Sequence, residues 1–221
     1  MSVLNKVENP VLLLPTGNTP RQLYRELVAN SLDTIAWPQA RLFALDEYVG
    51  VSADDPRSFR YQLWSELCSP LGLAPAQLFS PNGMAREPSV EADRYEETLR
   101  QHRPVSLCVL GVGSNGHIAF NEPGSDQESL THVATLSEST RNDNAALFEG
   151  GSVPIHALTV GIATIMASEQ ILLLAYGAAK AQAIQKLVAG EPDPAFPVSF
   201  LASHPRLTVI VDEEASGGAR P

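Results

Sequence analysis

Five short apolar runs set the limits on what this chain can fold into: VLLL at 11–14, RLFAL at 41–45, VSLCVL at 105–110, QILLLA at 170–175 and LTVIV at 207–211. Each is continuous rather than alternating, the pattern of a strand buried on both faces. Helical spacing separates them. Leu23, Tyr24, Leu27 and Val28 fall on one helical face, with Thr19 placed as the cap and Pro20 at the first helical position. Residues 56–68, 89–102 and 178–189 also read as helices, the last stopped by Gly190. This alternation predicts an α/β fold with a mostly parallel sheet and helices on both faces.

No repeat, linker or composition shift divides the 221 residues, so 1–221 reads as a single domain with a tail at 215–221 expected to be disordered. The net charge of −10 argues against a nucleic-acid face or an anionic lipid partner. No apolar stretch approaches a membrane span, and MSVLNKVENP at the start lacks a signal-peptide core. Cys68 and Cys108 offer neither a disulfide framework nor a metal spacing, and Cys108 reads as a buried free thiol. A cytoplasmic protein without a metal is the expectation. Lys occurs only at 6, 180 and 186, against 12 Arg, which makes each Lys worth asking about.

The chemistry lies in the loops after the strands. In open parallel sheets, ligands bind beyond the carboxyl ends of the strands. Here VLLL runs into PTGNTP, RLFAL into DEYVG, VSLCVL into GVGSNGHIAFNEP and QILLLA into YGAAK, so four polar, Gly-bearing loops should converge on one crevice. In PTGNTP, Gly17 permits a tight turn. The amides of Gly17, Asn18 and Thr19 and the hydroxyls of Thr16 and Thr19 could seat a phosphate at a helix start. Read alone, the segment is better explained as an ordinary strand-to-helix turn with a Thr cap, and it lacks the Gly-Lys-Ser/Thr ending of a P-loop. Asp46 or Glu47 could be a general base, or could simply cap or solvate the loop; their side chains should diverge, so at most one of them faces the crevice. Gly111, Gly113 and Gly116 leave backbone free to approach a ligand. His117 and Glu122 together suggest an imidazole oriented by a carboxylate, an acid–base device near neutral pH. Lys180, in the first turn of a helix, is easier to explain with an anion between it and the helix amides.

DEYVG and GHIAFNEP, in this order between the Gly/Thr loop and YGAAK, resemble the glucosamine-6-phosphate deaminase family, related to the 6-phosphogluconolactonases. THVATLSESTR at 131–141 and HALTVGIATIMAS at 156–168 are similar too, so the resemblance runs from about Val11 to Asp212. It implies a Rossmann-like three-layer α/β/α sandwich and conversion of glucosamine 6-phosphate and water to fructose 6-phosphate and ammonia, without cofactor. It further implies that His117 assists ring opening, Glu122 polarises His117, and Asp46 moves the C2 proton to C1. Lys180 and Thr16–Thr19 would hold phosphate, with Gly111 and Gly113 lining the sugar.

The chain departs from that family in four places. Asn115 stands where some members have Asp; it can orient the imidazole but not balance its charge as well. Ala146 stands where members usually carry an Arg to phosphate. Ten residues precede Val11 where a strand and a helix are usual. The stretch after Asn-Glu-Pro reads LTHVA, and the chain ends soon after VDEEA, which implies a monomer or small homo-oligomer rather than an allosteric hexamer. A lactonase, or a sugar-phosphate-binding relative without catalysis, are the competing readings.

Overall fold

The computed structural model describes residues 7–30, 35–149 and 151–217. Most of the front segment and residues 218–221 of the tail lie outside them. The strands are β1 (Val11–Leu14), β2 (Arg41–Ala44), β3 (Asp46–Tyr48), β4 (Leu78–Phe79), β5 (Leu107–Gly111), β6 (His132–Thr135), β7 (His156–Thr159), β8 (Ile171–Ala175) and β9 (Leu207–Val211). The α-helices are α1 (Asn18–Asn30), α2 (Phe59–Leu63), α3 (Pro88–Gln101), α4 (Glu138–Asp143), α5 (Ile162–Met166), α6 (Ala181–Ala189) and α7 (Glu213–Ser216).

Six strands form a wholly parallel sheet in the order β4-β2-β1-β5-β8-β9. Alternate residues feed opposite cores. Leu13, Phe43 and Leu110 pack on one face with Tyr95 of α3 and Ile184 of α6, while Leu12, Leu14 and Leu42 pack on the other with Tyr24 of α1. Two buried faces explain the continuous apolar runs of β1, β2 and β5. Both cysteines are free and buried.

The structure departs from the sequence expectations in several places. A second, antiparallel sheet, β3-β7-β6, was not legible. The chain bends at Leu45, so Asp46 opens β3 rather than ending β2. Helix α1 begins at Asn18, which puts Thr19 and Pro20 inside the first turn, where a missing proline N–H breaks no intrahelical bond. The 56–68 segment is helical only from Phe59, and becomes a π turn over Trp64–Cys68. β9 is not buried on both faces: it is an edge strand, and Ile210 is 47 % exposed. The expected disorder does not reach residues 215 and 216, which close α7 with Ala215 buried. Gly190 caps α6 in a left-handed conformation, as its position after the apolar pattern requires.

Candidate active site

Loops after three of the parallel strands meet in one cleft. Thr16–Thr19, Asp46, Gly111 and His117 line it, with Phe59, Ala119, Phe120 and Asn144 closing the sides. Its empty space is about 660 Å³ with the open mouth included, within the range of small-molecule sites.

The Gly/Thr loop is fixed from behind, where the buried Tyr24 hydroxyl donates to the Pro15 carbonyl at 2.6 Å. Gly17 has φ +90°, a left-handed conformation that favours glycine. The unpaired amides of the first turn of α1 then border the cleft, an arrangement suited to an anion.

Asp46 is held where the two sheets join. The Leu45 N–H donates to the Leu14 carbonyl at 3.0 Å, and the Leu45 carbonyl accepts from the Val160 N–H at 2.8 Å. Asp46 is only 8 % exposed. Burial, reinforced by the neighbouring Glu47 charge, pushes its pKa up to about 8. Glu47 points away, as adjacent strand residues must. Its carboxylate accepts from Ser58 Oγ at 2.6 Å and from the amides of Tyr48, Phe59 and Arg60 at 3.0–3.2 Å, tying β3 to the start of α2. Burial nonetheless leaves its pKa raised, against the pull of those four donors.

His117 sits in the loop after β5. Its Nδ1 lies 3.2 Å from Thr140 Oγ1 and 3.8 Å from Glu122 Oε2; the second distance is too long for a hydrogen bond. Glu122 is itself pinned: Asn115 Nδ2 donates to Oε2 at 2.9 Å and the Ser137 N–H to Oε1 at 3.0 Å. Asn115 also accepts the His117 N–H through Oδ1 at 3.1 Å, so it orients the backbone of the loop as well as the carboxylate. Burial is the largest influence on His117 and lowers its pKa; Glu122 and Asp143 pull upward, and Lys180 pushes down. Burial would raise Glu122, but Thr140, Ser137, the His117 charge and Asn115 together leave it lowered.

The backbone of this loop is specialised. A Cβ on Gly113 would overlap the His117 ring. At Gly111 a Cβ would meet only ordinary contact, 3.9 Å from Thr19 Cβ, so space alone does not demand that glycine. Ala119 has φ 48°, the one left-handed non-glycine among the described residues. Such a conformation costs about 1–3 kcal/mol and persists where the surroundings hold it. Here they do: the Phe120 N–H donates to Thr159 Oγ1 at 3.0 Å, and Asn121 Nδ2 donates to the carbonyls of Ile118 and Val160, each at 2.9 Å.

Lys180 ends a 3-10 turn just before α6 and does not line the cleft, although its charge reaches His117. Burial lowers its own pKa and Asp143 opposes that. Asp143 also accepts from Ser114 Oγ at 3.2 Å. Ala146 is exposed in the 3-10 turn Ala145–Phe148, two residues beyond Asn144 of the cleft wall. Arg141 keeps a buried Nε without a hydrogen-bond partner. Among the described residues, no group of three or more His, Cys, Asp and Glu side chains is arranged to hold a metal ion. None of the helices described there is long and apolar enough to cross a membrane.

Sequence reasoning missed Ser137, Thr140, Asn144 and Phe59. Nothing in local spacing places residues 137–144 against a loop some 20 positions earlier. The one signal within reach was Ser137 followed by Thr140, a helix start: Ser137 Oγ accepts the Thr140 N–H at 3.2 Å.

A parallel α/β sheet whose carboxyl ends carry a Gly/Thr loop at a helix start, a buried Asp and a His near a Glu is the arrangement of an enzyme suited to acid–base chemistry on a small anionic substrate. The chain belongs to the family described as glucosamine-6-phosphate isomerases/6-phosphogluconolactonase, which matches residues 2–210. Curated relatives within it include glucosamine-6-phosphate deaminases. The protein from Oceanobacillus iheyensis is 41 % identical over 217 residues, covering 97 % of this chain and 87 % of the relative. One from Listeria monocytogenes is 46 % identical over 204 residues, covering 92 % and 85 %. A solved structure of a monomeric glucosamine-6-phosphate deaminase superposes with a TM-score of 0.92 at 39 % identity, over 97 % of this chain and 90 % of that one. The 6-phosphogluconolactonase from Trypanosoma brucei shares the fold, with a TM-score of 0.77 at 22 % identity over 96 % and 87 %.

Proposed function

We infer that this chain is a glucosamine-6-phosphate deaminase: it converts glucosamine 6-phosphate and water to fructose 6-phosphate and ammonia. The observation that carries the reading is Asp46 and His117 facing one cleft beside the anion-suited start of α1. In the proposed sequence His117 Nε2 takes the proton of the C1 hydroxyl and hands it to the ring oxygen, so that the C1–O ring bond breaks and the sugar opens to its aldehyde. Asp46 then removes the C2 proton; the C–H electrons form the C1–C2 double bond, and the C1 oxygen takes up a proton, giving an enolamine. Return of the proton from Asp46 to C1 leaves a ketimine at C2. Water adds to that carbon, and ammonia departs as the carbonyl forms. Thr16–Thr19 hold the phosphate, Lys180 lends positive charge from beyond the cleft lining, and the chain works as a monomer or small oligomer in the cytoplasm.

The lactonase alternative gives Asp46 and Glu122 no specific task. Purified protein should release ammonia and fructose 6-phosphate in equal amounts from millimolar glucosamine 6-phosphate. Hydrolysis of 6-phosphogluconolactone without ammonia release would replace this reading with the other. Galactosamine and mannosamine analogues tested alongside define the sugar.

Ala146 bears on the phosphate. Restoring a guanidinium with Ala146→Arg should lower KM by about tenfold to a hundredfold with little change in kcat. This corresponds to a charge-assisted hydrogen-bond gain of about 1.5–3 kcal/mol. An unchanged KM would mean that the phosphate does not sit against this turn.

A further inference from the structure

We propose that Thr140 is a positioning residue that carries the influence of Glu122 to His117 through its hydroxyl, holding the neutral imidazole as the Nδ1–H tautomer with Nε2 bare. The inference rests on the reading of His117 as the proton carrier of the cleft. Glu122 cannot hold the ring directly, since Oε2 is 3.8 Å from Nδ1, outside hydrogen-bonding reach. Thr140 Oγ1 stands at 3.2 Å from the same nitrogen and is 1 % exposed, so no solvent competes for it.

The direction of the bonds comes from counting. A hydroxyl has one proton and two lone pairs. Ser137 Oγ donates to Thr140 Oγ1 at 3.0 Å and occupies one lone pair. Thr140 is among the groups whose hydrogen bonding lowers the pKa of Glu122, so Glu122 is the anionic acceptor beside it, and a bond from a hydroxyl to a carboxylate is about twice as strong as one between neutral groups. The Thr140 proton therefore goes to Glu122, and the remaining lone pair faces Nδ1. An imidazole with an acceptor at Nδ1 carries its proton there. The other charged groups facing His117 are Asp143 and Lys180, which act in opposite senses on the imidazole. Neither makes a hydrogen bond to Nδ1, so neither selects the tautomer.

Thr140→Val keeps the shape and the backbone N–H that Ser137 caps, and removes only the hydroxyl. Thr140→Ser keeps the hydroxyl and removes a methyl. Nitrogen-15 spectra of the substrate-free protein read the tautomer without reference to any reaction. Wild type and Thr140→Ser should show neutral His117 protonated at Nδ1, and Thr140→Val should shift the population to Nε2–H. In turnover, Thr140→Val should lower kcat about tenfold to a hundredfold, a part of what a general acid–base contributes, with KM changed less than about twofold. Its kcat–pH profile should move, and Thr140→Ser should recover most of the rate. An unchanged tautomer in Thr140→Val, or a Thr140→Ser variant as impaired as Thr140→Val, overturns the proposal. Failure of the tautomer test counts against Thr140 alone. A correct tautomer with no ammonia release counts against the deaminase reading instead.

Discussion

Asp46→Asn is expected to lower kcat by about 10²–10⁴, the contribution of a positioned general base, and at the same time to make the protein more stable in alkaline solution. Both effects come from burial. The carboxyl group is almost wholly out of water, and its pKa rises from 3.8 to about 8. In the unfolded chain Asp46 ionises near pH 4; in the folded protein it keeps its proton until about pH 8. Between those values the folded state binds a proton that the unfolded state has lost, so wild-type stability falls across the window and levels off above it. Asn does not titrate. The variant should therefore gain on wild type from about pH 4 upward, reaching on the order of a few kcal/mol by about pH 8. Denaturation midpoints for the two proteins at acid and alkaline pH test this; parallel curves would refute it. The same pKa predicts that wild-type kcat/KM climbs as pH rises towards about 8, because the base must be ionised in the free enzyme. A profile flat between about pH 6 and pH 9 would remove Asp46 from that role.

The second large effect is expected at Gly113. The Gly113→Ala variant places its Cβ in the space of the His117 imidazole. The backbone there is braced by the Gly113 N–H donating to the His117 carbonyl at 2.9 Å and the Gly116 N–H donating to the Gly113 carbonyl at 3.0 Å. The ring is the part free to yield, and in yielding it leaves Thr140. Activity should fall by at least about a hundredfold, at the low end of what a displaced acid–base group costs. Overpacking should cost about 1–3 kcal/mol of stability. Near-normal turnover in a folded Gly113→Ala protein would show that His117 is not needed where it stands. Gly151→Ala is the control, since that position lies outside the cleft and a Cβ there meets only ordinary contact, 3.8 Å from the Phe148 carbonyl oxygen.

Much of this site was legible because it is local. Strand, glycine loop and helix succeed one another along the chain, so the sequence alone assigns Thr16–Thr19, Asp46 and His117 to one crevice. Divergence of Asp46 from Glu47 followed from strand geometry alone, and Glu47 does tie the start of α2 while Asp46 faces the cleft. The illegible parts are those made by distant chain. The sheet β3-β7-β6 joins segments about 110 residues apart, and its strands are three or four residues long, too short for a periodic signal. Thr140 reaches His117 only because α4 folds back across the loop after β5. β9 read as buried because its residues are apolar; edge position, not composition, sets its exposure.

The hydrogen bonds from Phe120 and Asn121 to Thr159 and Val160 have a thermal consequence. They fasten the loop bearing His117 to the end of β7 and the residue after it, and β7 lies against the aromatic cluster of Tyr48, Phe59, Phe120 and Phe148. A loop anchored to core backbone opens only when that core opens. On heating, inactivation should therefore coincide with global unfolding instead of preceding it, and a partly melted population without activity should not accumulate.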